Sequence, residues 1–369
     1  VNLALHNIAR QFIAGQSSIN ISPLGNGLIN TTFLVQADNT ALVLQRINQH
    51  VFPNPEQLTA NLQQLNRHIR GRAVDNVRLQ IPDLLLTCDQ KPFFLDTDGQ
   101  FWRALELIHP AESREQLKHP SEAQQIGYAL AHFHRLCSDL PTQSLHDTLP
   151  GFHITPGYYQ HHQALRHKPL SIQPNSRYQY CLSFIDNFQD KIYALERAKQ
   201  QGILIERVIH GDPKFNNFLF QPDSNHIISL IDLDTVKPGL VHYDIGDCLR
   251  SCCHIQHGNQ FNLDNCHTIL SSYLEEAGQF FTSADYEYLY PAIELIPFEL
   301  GLRFFNDYLE GNRYFKVNDP EQNLHRSIAQ FQLCQSIAEQ QEQIDRIIKS
   351  LMAKNQRNTW KGFLPQSRT

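Results

Sequence analysis

Oxygen-bearing side chains gather in residues 208–235, which read VIHGDPKFNNFLFQPDSNHIISLIDLDT. Residues 218–220 and 227–231 are short apolar runs, and the turn-forming residues Gln221, Pro222, Asp223, Ser224 and Asn225 lie between them. That pattern predicts a β-hairpin. Folding it back sets Asn217, just before the first strand, opposite Asp232, at the end of the second. Neighbouring strands lie about 4.8 Å apart. An amide oxygen and a carboxylate then reach one hard cation of the magnesium type, which fills its shell with a few such oxygens, water and phosphate. Asp212 precedes Asn217 by five residues and faces the same point without having to bind the ion. A carboxylate there can take the proton of an attacking hydroxyl, and Lys214 can offset charge on a phosphate. Phosphoryl transfer needs such positioning and charge more than covalent help from the protein. Singly, each residue has an ordinary reading as a turn or cap residue; the combination at this spacing points to chemistry.

The elements that must carry these groups fall into two parts. Residues 1–108 are β-rich, with strands expected at 19–24, 32–36, 42–46, 93–95 and 101–108. Among them lies one helix, whose face is Leu58, Leu62, Leu65 and Ile69, with Pro53 and Pro55 at or before its first turn. Residues 109–369 read as mainly helical. Stripes are formed by Ile126, Leu130 and Phe133, by Cys181, Ile185, Phe188, Ile192 and Leu195, and by a long run over 323–352; a frayed polar tail is expected after Lys354. The fold class is therefore α+β and bilobal, with a ligand cleft between a β-rich N-terminal lobe and a helical C-terminal lobe. On the N-terminal side, Gly25, Asn26 and Gly27 form a turn between two strands. Such a turn can lay backbone N–H groups over phosphates, and it is equally an ordinary hairpin turn.

Composition narrows the partners. The chain has 369 residues and a net charge of -6 with no basic block, which argues against a nucleic-acid partner. No run approaches the roughly 20 apolar residues of a membrane helix. The opening VNLALHNIARQF lacks a basic segment before an apolar core, so no signal peptide is expected and the location expected is cytoplasmic. Eight irregularly spaced cysteines in a chain of this length read as reduced, mostly buried thiols. The group Cys248, Cys252, Cys253, His254, Cys266 and His267 leaves a metal site open as the alternative, although its spacing is not that of a zinc ribbon. Oligomeric state is not legible.

The spacing H-x-D-x-K-x-x-N, a hairpin and then an Asp resembles the catalytic and metal loops of protein-kinase-like enzymes. HGDPKFNNFLF with IDLDTVKPGLVHYDIGDCLR looks like the aminoglycoside-phosphotransferase superfamily, and within it most like the N-acetylhexosamine 1-kinases. The resemblance implies a small-molecule kinase with ATP and Mg2+ as cofactors. It implies Asp212 as catalytic base beside Lys214, Asn217 and Asp232 as magnesium ligands, and Asp234 as a second carboxylate at the metal site. Asp244 and Asp247 would hold the loop. On the nucleotide side, Arg46 takes the place of the strand lysine that pairs with phosphates and with a helix glutamate. Glu56 is the one acidic residue in the following helix, where it equally suits the helix dipole. Backbone groups from Glu106 to Ile108 would meet adenine. The acceptor implied is an amino sugar, with an aminoglycoside, choline or homoserine as the alternative class and a non-catalytic binding module as the alternative to an enzyme. For the acceptor, LPGFHITP supplies Phe152 and His153, and the segment at 299–317 supplies Arg303 and Tyr314. Arg303 has an alternative partner in Asp307, one helix turn on. The sequence departs from the family at Leu28, where relatives often carry His.

Overall fold

The protein is described by a computed structural model covering residues 3–13, 15, 18–25, 29–38, 40–72, 78–167, 175–278 and 280–362. A short helix α1 (Leu3–Ala9) precedes the antiparallel meander β1 (Ile19–Pro23), β2 (Thr31–Ala37) and β3 (Thr40–Arg46). The helix α2 (Pro55–Arg70) follows, with proline in its first turn, where a missing N–H costs nothing. Then come β4 (Leu84–Leu85), β5 (Phe94–Leu95) and β6 (Phe101–Glu106). Together the strands form one sheet in the order β1-β2-β3-β6-β4, with β5 also pairing β6. The strand period of two sorts its faces. Val35, Leu42, Leu44, Trp102 and Ala104 pack with Ile8 and Ala9 of α1 on the outer face. Gln45 and Arg103 point the other way, toward the helical part of the chain.

The two parts are stitched by α2. Leu58 packs with Ile47, Phe52 and Phe101 under the sheet. One and two turns on, Leu62, Leu65 and Ile69 join the main core of the helical region. The Asn61 amide donates to the carbonyls of His146 and Val236 at 2.8 and 3.0 Å. A short strand β7 (Glu112–Ser113) leads into α3 (Pro120–Leu136), where Glu122 accepts the N–H groups of Lys118 and His119 as an N-terminal cap. The helices α4 (Thr155–Arg166), α5 (Ser176–Phe188) and α6 (Ala194–Gln200) come next. The stripe from Cys181 to Leu195 is thus two helices, parted by a 3-10 turn at Gln189–Lys191.

The hairpin forms as expected: β9 (Phe218–Phe220) pairs β10 (Ile227–Leu230), preceded by β8 (Arg207–Ile209) and followed by β11 (Lys237–Gly239), which pairs back onto β8. Behind it lie α7 (Val241–Cys252), the small ribbon β12 (His254–Ile255) and β13 (Gln260–Phe261), α8 (Leu263–Ala277), α9 (Ser283–Glu287) and α10 (Leu289–Leu309). The run over 323–352 is also two helices, α11 (Gln322–Glu339) and α12 (Gln341–Gly362). They part at Gln340, whose side-chain amide donates to the carbonyl of Phe261 at 3.0 Å. α12 continues beyond Lys354, where a frayed tail was expected. Cys248 and Cys252 are buried one turn apart on α7, with Cys253 and Cys266 also buried, while Cys88 is exposed. Among the described residues no helix is long and apolar enough to cross a membrane.

Candidate active site

The loop at 210–217 is fixed by contacts from separate elements. Asp244 of α7 accepts the N–H groups of His210 and Gly211 on its two oxygens at 2.7 and 2.8 Å. His134 of α3 meets the same carboxylate at 2.8 Å. Burial opposes the Asp244 charge, but these donors outweigh it and hold its pKa below the usual value. Gly211 has a φ of +87°, and an added Cβ would lie 2.6 Å from the carbonyl of Thr235, so only glycine fits. The Thr235 hydroxyl donates to the His210 carbonyl at 2.9 Å. His210 accepts the Asp212 N–H on Nδ1 and donates from Nε2 to the Ile231 carbonyl, so its buried ring is neutral, and burial lowers its pKa. This one imidazole ties the loop to the end of the hairpin.

Asp212 and Asp232 meet Lys214 at the open side of the loop, and Asn217 is tied to the Asp212 backbone. Lys214 is ion-paired with Asp212 and lies 3.6 Å from Asp232. The Asn217 amide donates to the Asp212 carbonyl at 2.8 Å, leaving Oδ1 without a partner among the described residues. Its own carbonyl takes the Ile231 N–H at 2.9 Å, which is the cross-hairpin contact the sequence pattern implies. Asp232 has a left-handed backbone, φ +69°, and its carboxylate is 39% exposed, which leaves it open to a ligand. Burial pushes the Asp212 carboxyl up; Lys214 pulls it down, and Asp247 and Asp232 push it up again. Burial works against the Lys214 ammonium, and the two carboxylates more than offset it. Among the described residues no three His, Cys, Asp or Glu side chains converge on a metal site. Asn217 and Asp232 stand at the two ends of the hairpin, joined by the backbone contact between Asn217 and Ile231.

Asp247 does not hold the loop as Asp244 does. It pairs with Arg250 at 2.7 Å, and its buried Oδ2 has no partner among the described residues.

Other expected site residues are placed differently. Asp234 is buried; Arg103 of β6 takes one oxygen and the Asn30 amide takes the other at 2.7 Å, so neither oxygen is free for a metal. Burial pushes its carboxyl up and Arg103 pulls it down; with a guanidinium and an amide on its two oxygens it is a carboxylate. Arg46 lies on the outer face of β3 with Leu42 and Leu44, 5.9 Å from the Trp102 ring centre, because the strand period sends it away from the cleft. Arg46 and Glu56 form no ion pair among the described residues. Arg103 is the residue the sequence reading missed. A lone charge between apolar neighbours in W-R-A-L, alternating with Trp102 and Ala104, was the available signal. Gly25 is left-handed at φ +70°, while Asn26, Gly27 and Leu28 lie outside the described residues. The Glu106 N–H already donates to the Asp83 carbonyl at 2.8 Å; the Ile108 N–H has no partner among the described residues.

On the acceptor side, Arg303 of α10 sits among four aromatic rings, with centres 4.9 Å (Phe152), 5.3 Å (Tyr158), 5.9 Å (Tyr314) and 5.6 Å (Phe315) away. It forms no ion pair or hydrogen bond among the described residues. Asp307 is not its partner, because that carboxylate accepts the N–H groups of Arg313, Tyr314 and Phe315 and so orders the segment carrying Tyr314. His153 does not face a ligand. It is buried, with Nδ1 3.0 Å from Glu299 and Nε2 2.7 Å from the Gly211 carbonyl, so both nitrogens donate inward. Burial lowers its pKa most, but Glu299, Asp247 and the Gly211 carbonyl together raise it further, so the net shift is upward.

The fold is shared with solved kinases. A structure of the microcompartment-associated aminopropanol kinase matches with a TM-score of 0.66 at 15% identity, covering 92% of this chain and 98% of that one. An aminoglycoside phosphotransferase from Alicyclobacillus acidocaldarius matches at 0.63 and 17% identity, covering 94% and 98%. A choline kinase from Cryptosporidium parvum matches at 0.60 and 16% identity, covering 94% and 99%. At these identities the likeness establishes the fold. Family membership rests on the sequence: the model described as "Phosphotransferase enzyme family" matches residues 20–276, well over half of the chain, and the chain belongs to that family.

Proposed function

We infer that this protein is an ATP- and Mg2+-dependent kinase that phosphorylates a hydroxyl of a small molecule. The observation that carries this is the meeting of Asp212 and Asp232 at Lys214, with Asn217 tied to the Asp212 backbone, on a loop braced by side chains from separate elements. Asn217 and Asp232 would hold Mg2+, which when bound neutralises charge on the phosphates. Asp212 orients the acceptor hydroxyl and takes its proton; a pKa raised by burial makes it a better base than an exposed carboxylate. Lys214 keeps two carboxylates together beside a polyanion. The expected outcome for Asp212→Asn is lost ADP release with the shift in melting temperature on adding MgATP retained. Full activity in that variant removes the assignment.

For the acceptor, we read an N-acetylhexosamine phosphorylated on its C1 hydroxyl to a sugar 1-phosphate. The resemblance in sequence suggests it, and the charge of Arg303 supports it. A guanidinium in an aromatic enclosure offers N–H donors to hydroxyl and acetamide oxygens. The same charge repels a cationic acceptor such as choline. At roughly 6 Å and an effective dielectric of about 20 the repulsion is about 3 kcal/mol, roughly a hundredfold in affinity. An ADP-release panel of N-acetylgalactosamine, N-acetylglucosamine, choline, homoserine and an aminoglycoside decides. Turnover confined to an N-acetylhexosamine supports the reading, and turnover of choline alone eliminates it.

A further inference from the structure

The motif I-D-L-D offers two carboxylates two residues apart, and the fold treats them oppositely. Asp232 is open and faces Lys214, whereas the Asp234 side chain is only 4% exposed. We propose that Asp234, with Arg103 and Asn30, is a latch that sets the spacing between the nucleotide-side sheet and the loop carrying Asp232, and that it is not a metal ligand.

Two side chains of the N-terminal region close on this one carboxylate, one of them backed by neighbouring strands. Arg103 comes from β6, and the Gln45 carbonyl oxygen on β3 aims it by accepting its Nε and Nη2 at 3.0 and 2.7 Å. Gln45 in turn donates to Thr32 of β2 at 3.2 Å. Asn30 immediately precedes β2. Its Oδ1 accepts the Asn48 N–H at 3.0 Å while its amide donates to Asp234 at 2.7 Å. Below the carboxylate, the Asp234 carbonyl accepts the Thr148 hydroxyl at 2.7 Å, and neighbouring Thr235 bonds the His210 carbonyl. A shift of the sheet is therefore felt both at Asp232, two residues away in a strained left-handed conformation, and at the loop bearing Asp212.

A buried ion pair adds little net stability, since desolvation consumes most of its Coulombic gain. Its directional donors fix geometry instead, and the planar guanidinium is well suited to that. A metal ion on Asp234 would have to displace Arg103 or Asn30 and leave a buried guanidinium or amide unpaired, which is costly.

The kinetic part of the test rests on the kinase reading, and the melting part does not. Melting temperatures of the wild type, Asp234→Asn, Arg103→Gln and the double variant are measured in EDTA without nucleotide. The latch lowers both single variants, and the double variant loses less than their sum. A metal-site carboxylate gives the opposite result: Asp234→Asn melts at or above the wild type in EDTA and loses one equivalent of Mn2+ in a nucleotide-bound titration. Should both single variants fail to fold, Asn30→Ala decides, because it keeps the ion pair and removes one arm. The latch raises the nucleotide KM and calorimetric Kd of Asn30→Ala by about tenfold and leaves the acceptor KM unchanged. A general loss of structure lowers the active fraction and moves neither KM. Wild-type nucleotide KM and Kd in Asn30→Ala overturn the proposal. A wild type that binds no nucleotide overturns the kinase reading instead, and leaves the EDTA melting comparison to judge the latch.

Discussion

In the helical region, the loop at 210–217 is held by Asp244 of α7, backed by His134 of α3, and by His153 ahead of α4, backed by Glu299 of α10. All four are buried. On the sheet side, packing comes from two smaller hydrophobic clusters, and polar side chains reach the helical side through Arg103 and Asn30. The difference follows the work each side can do. On the kinase reading proposed above, moving a proton at Asp212 demands a carboxylate held to a fraction of an ångström, and charged and hydrogen-bonded braces surround it. On the same reading, backbone N–H groups of the sheet side meet phosphates, a task that needs no particular side chain.

That contrast can be broken most directly at Asp212. Asp212→Asn lowers kcat by about 10²–10⁴-fold in our reading, the usual worth of a positioned general base, with nucleotide affinity unchanged. Single-turnover kinetics alongside calorimetry checks both halves. Next in size is the brace itself. Asp244→Ala strips the partner from two buried N–H groups and from His134, and lowers stability by about 3–5 kcal/mol in denaturant titration. A loss under about 1 kcal/mol would put Asp244 among ordinary surface positions and remove the contrast between the two sides.

His153 sharpens the comparison through pH. Its folded pKa is raised above the ordinary 6.5: burial lowers it, and Glu299, Asp247 and the Gly211 carbonyl together outweigh burial. A raised histidine pKa stabilises the folded state fully below 6.5 and ceases to do so as pH rises through the folded value. The stability gap between wild type and His153→Gln is therefore widest in mild acid and narrows as pH climbs. A gap that stays constant from about pH 5 to about pH 9 would mean the ring is neutral throughout. The smallest effect belongs to Arg46. Arg46→Gln, on the outer face of the sheet, changes stability by no more than about 0.5 kcal/mol and leaves the nucleotide KM within about twofold. A tenfold rise would return Arg46 to the cleft.

The hairpin from Phe218 to Leu230 was legible because apolar runs of strand length flank a cluster of turn residues, and a local pattern of that kind needs no distant partner. The closing of its ends between Asn217 and Ile231 followed from it. The breaks in the long helical stripes were not legible. Gln340 is neither Gly nor Pro, and it ends α11 by reaching for a carbonyl on β13. Arg46 was misplaced for a related reason. A cation on the third strand fits a kinase pattern by position alone, and the face it lies on depends on which neighbours pack outward.

The sequence by itself determined which groups lie at short range, two aspartates, a lysine and an asparagine, because there spacing along the chain is nearly spacing in space. Only the tertiary structure decided how alike residues divide their work. Asp232 and Asp234 have the same side chain and almost the same address, yet one is left open beside Lys214 and the other is closed by Arg103, 131 residues away. Likewise His153 turned from a sugar contact into a brace once Glu299 and the Gly211 carbonyl took its two nitrogens. Desolvation is the physical reason: a buried polar atom takes whatever partner the fold brings to it, and those partners come from elements far apart in the chain.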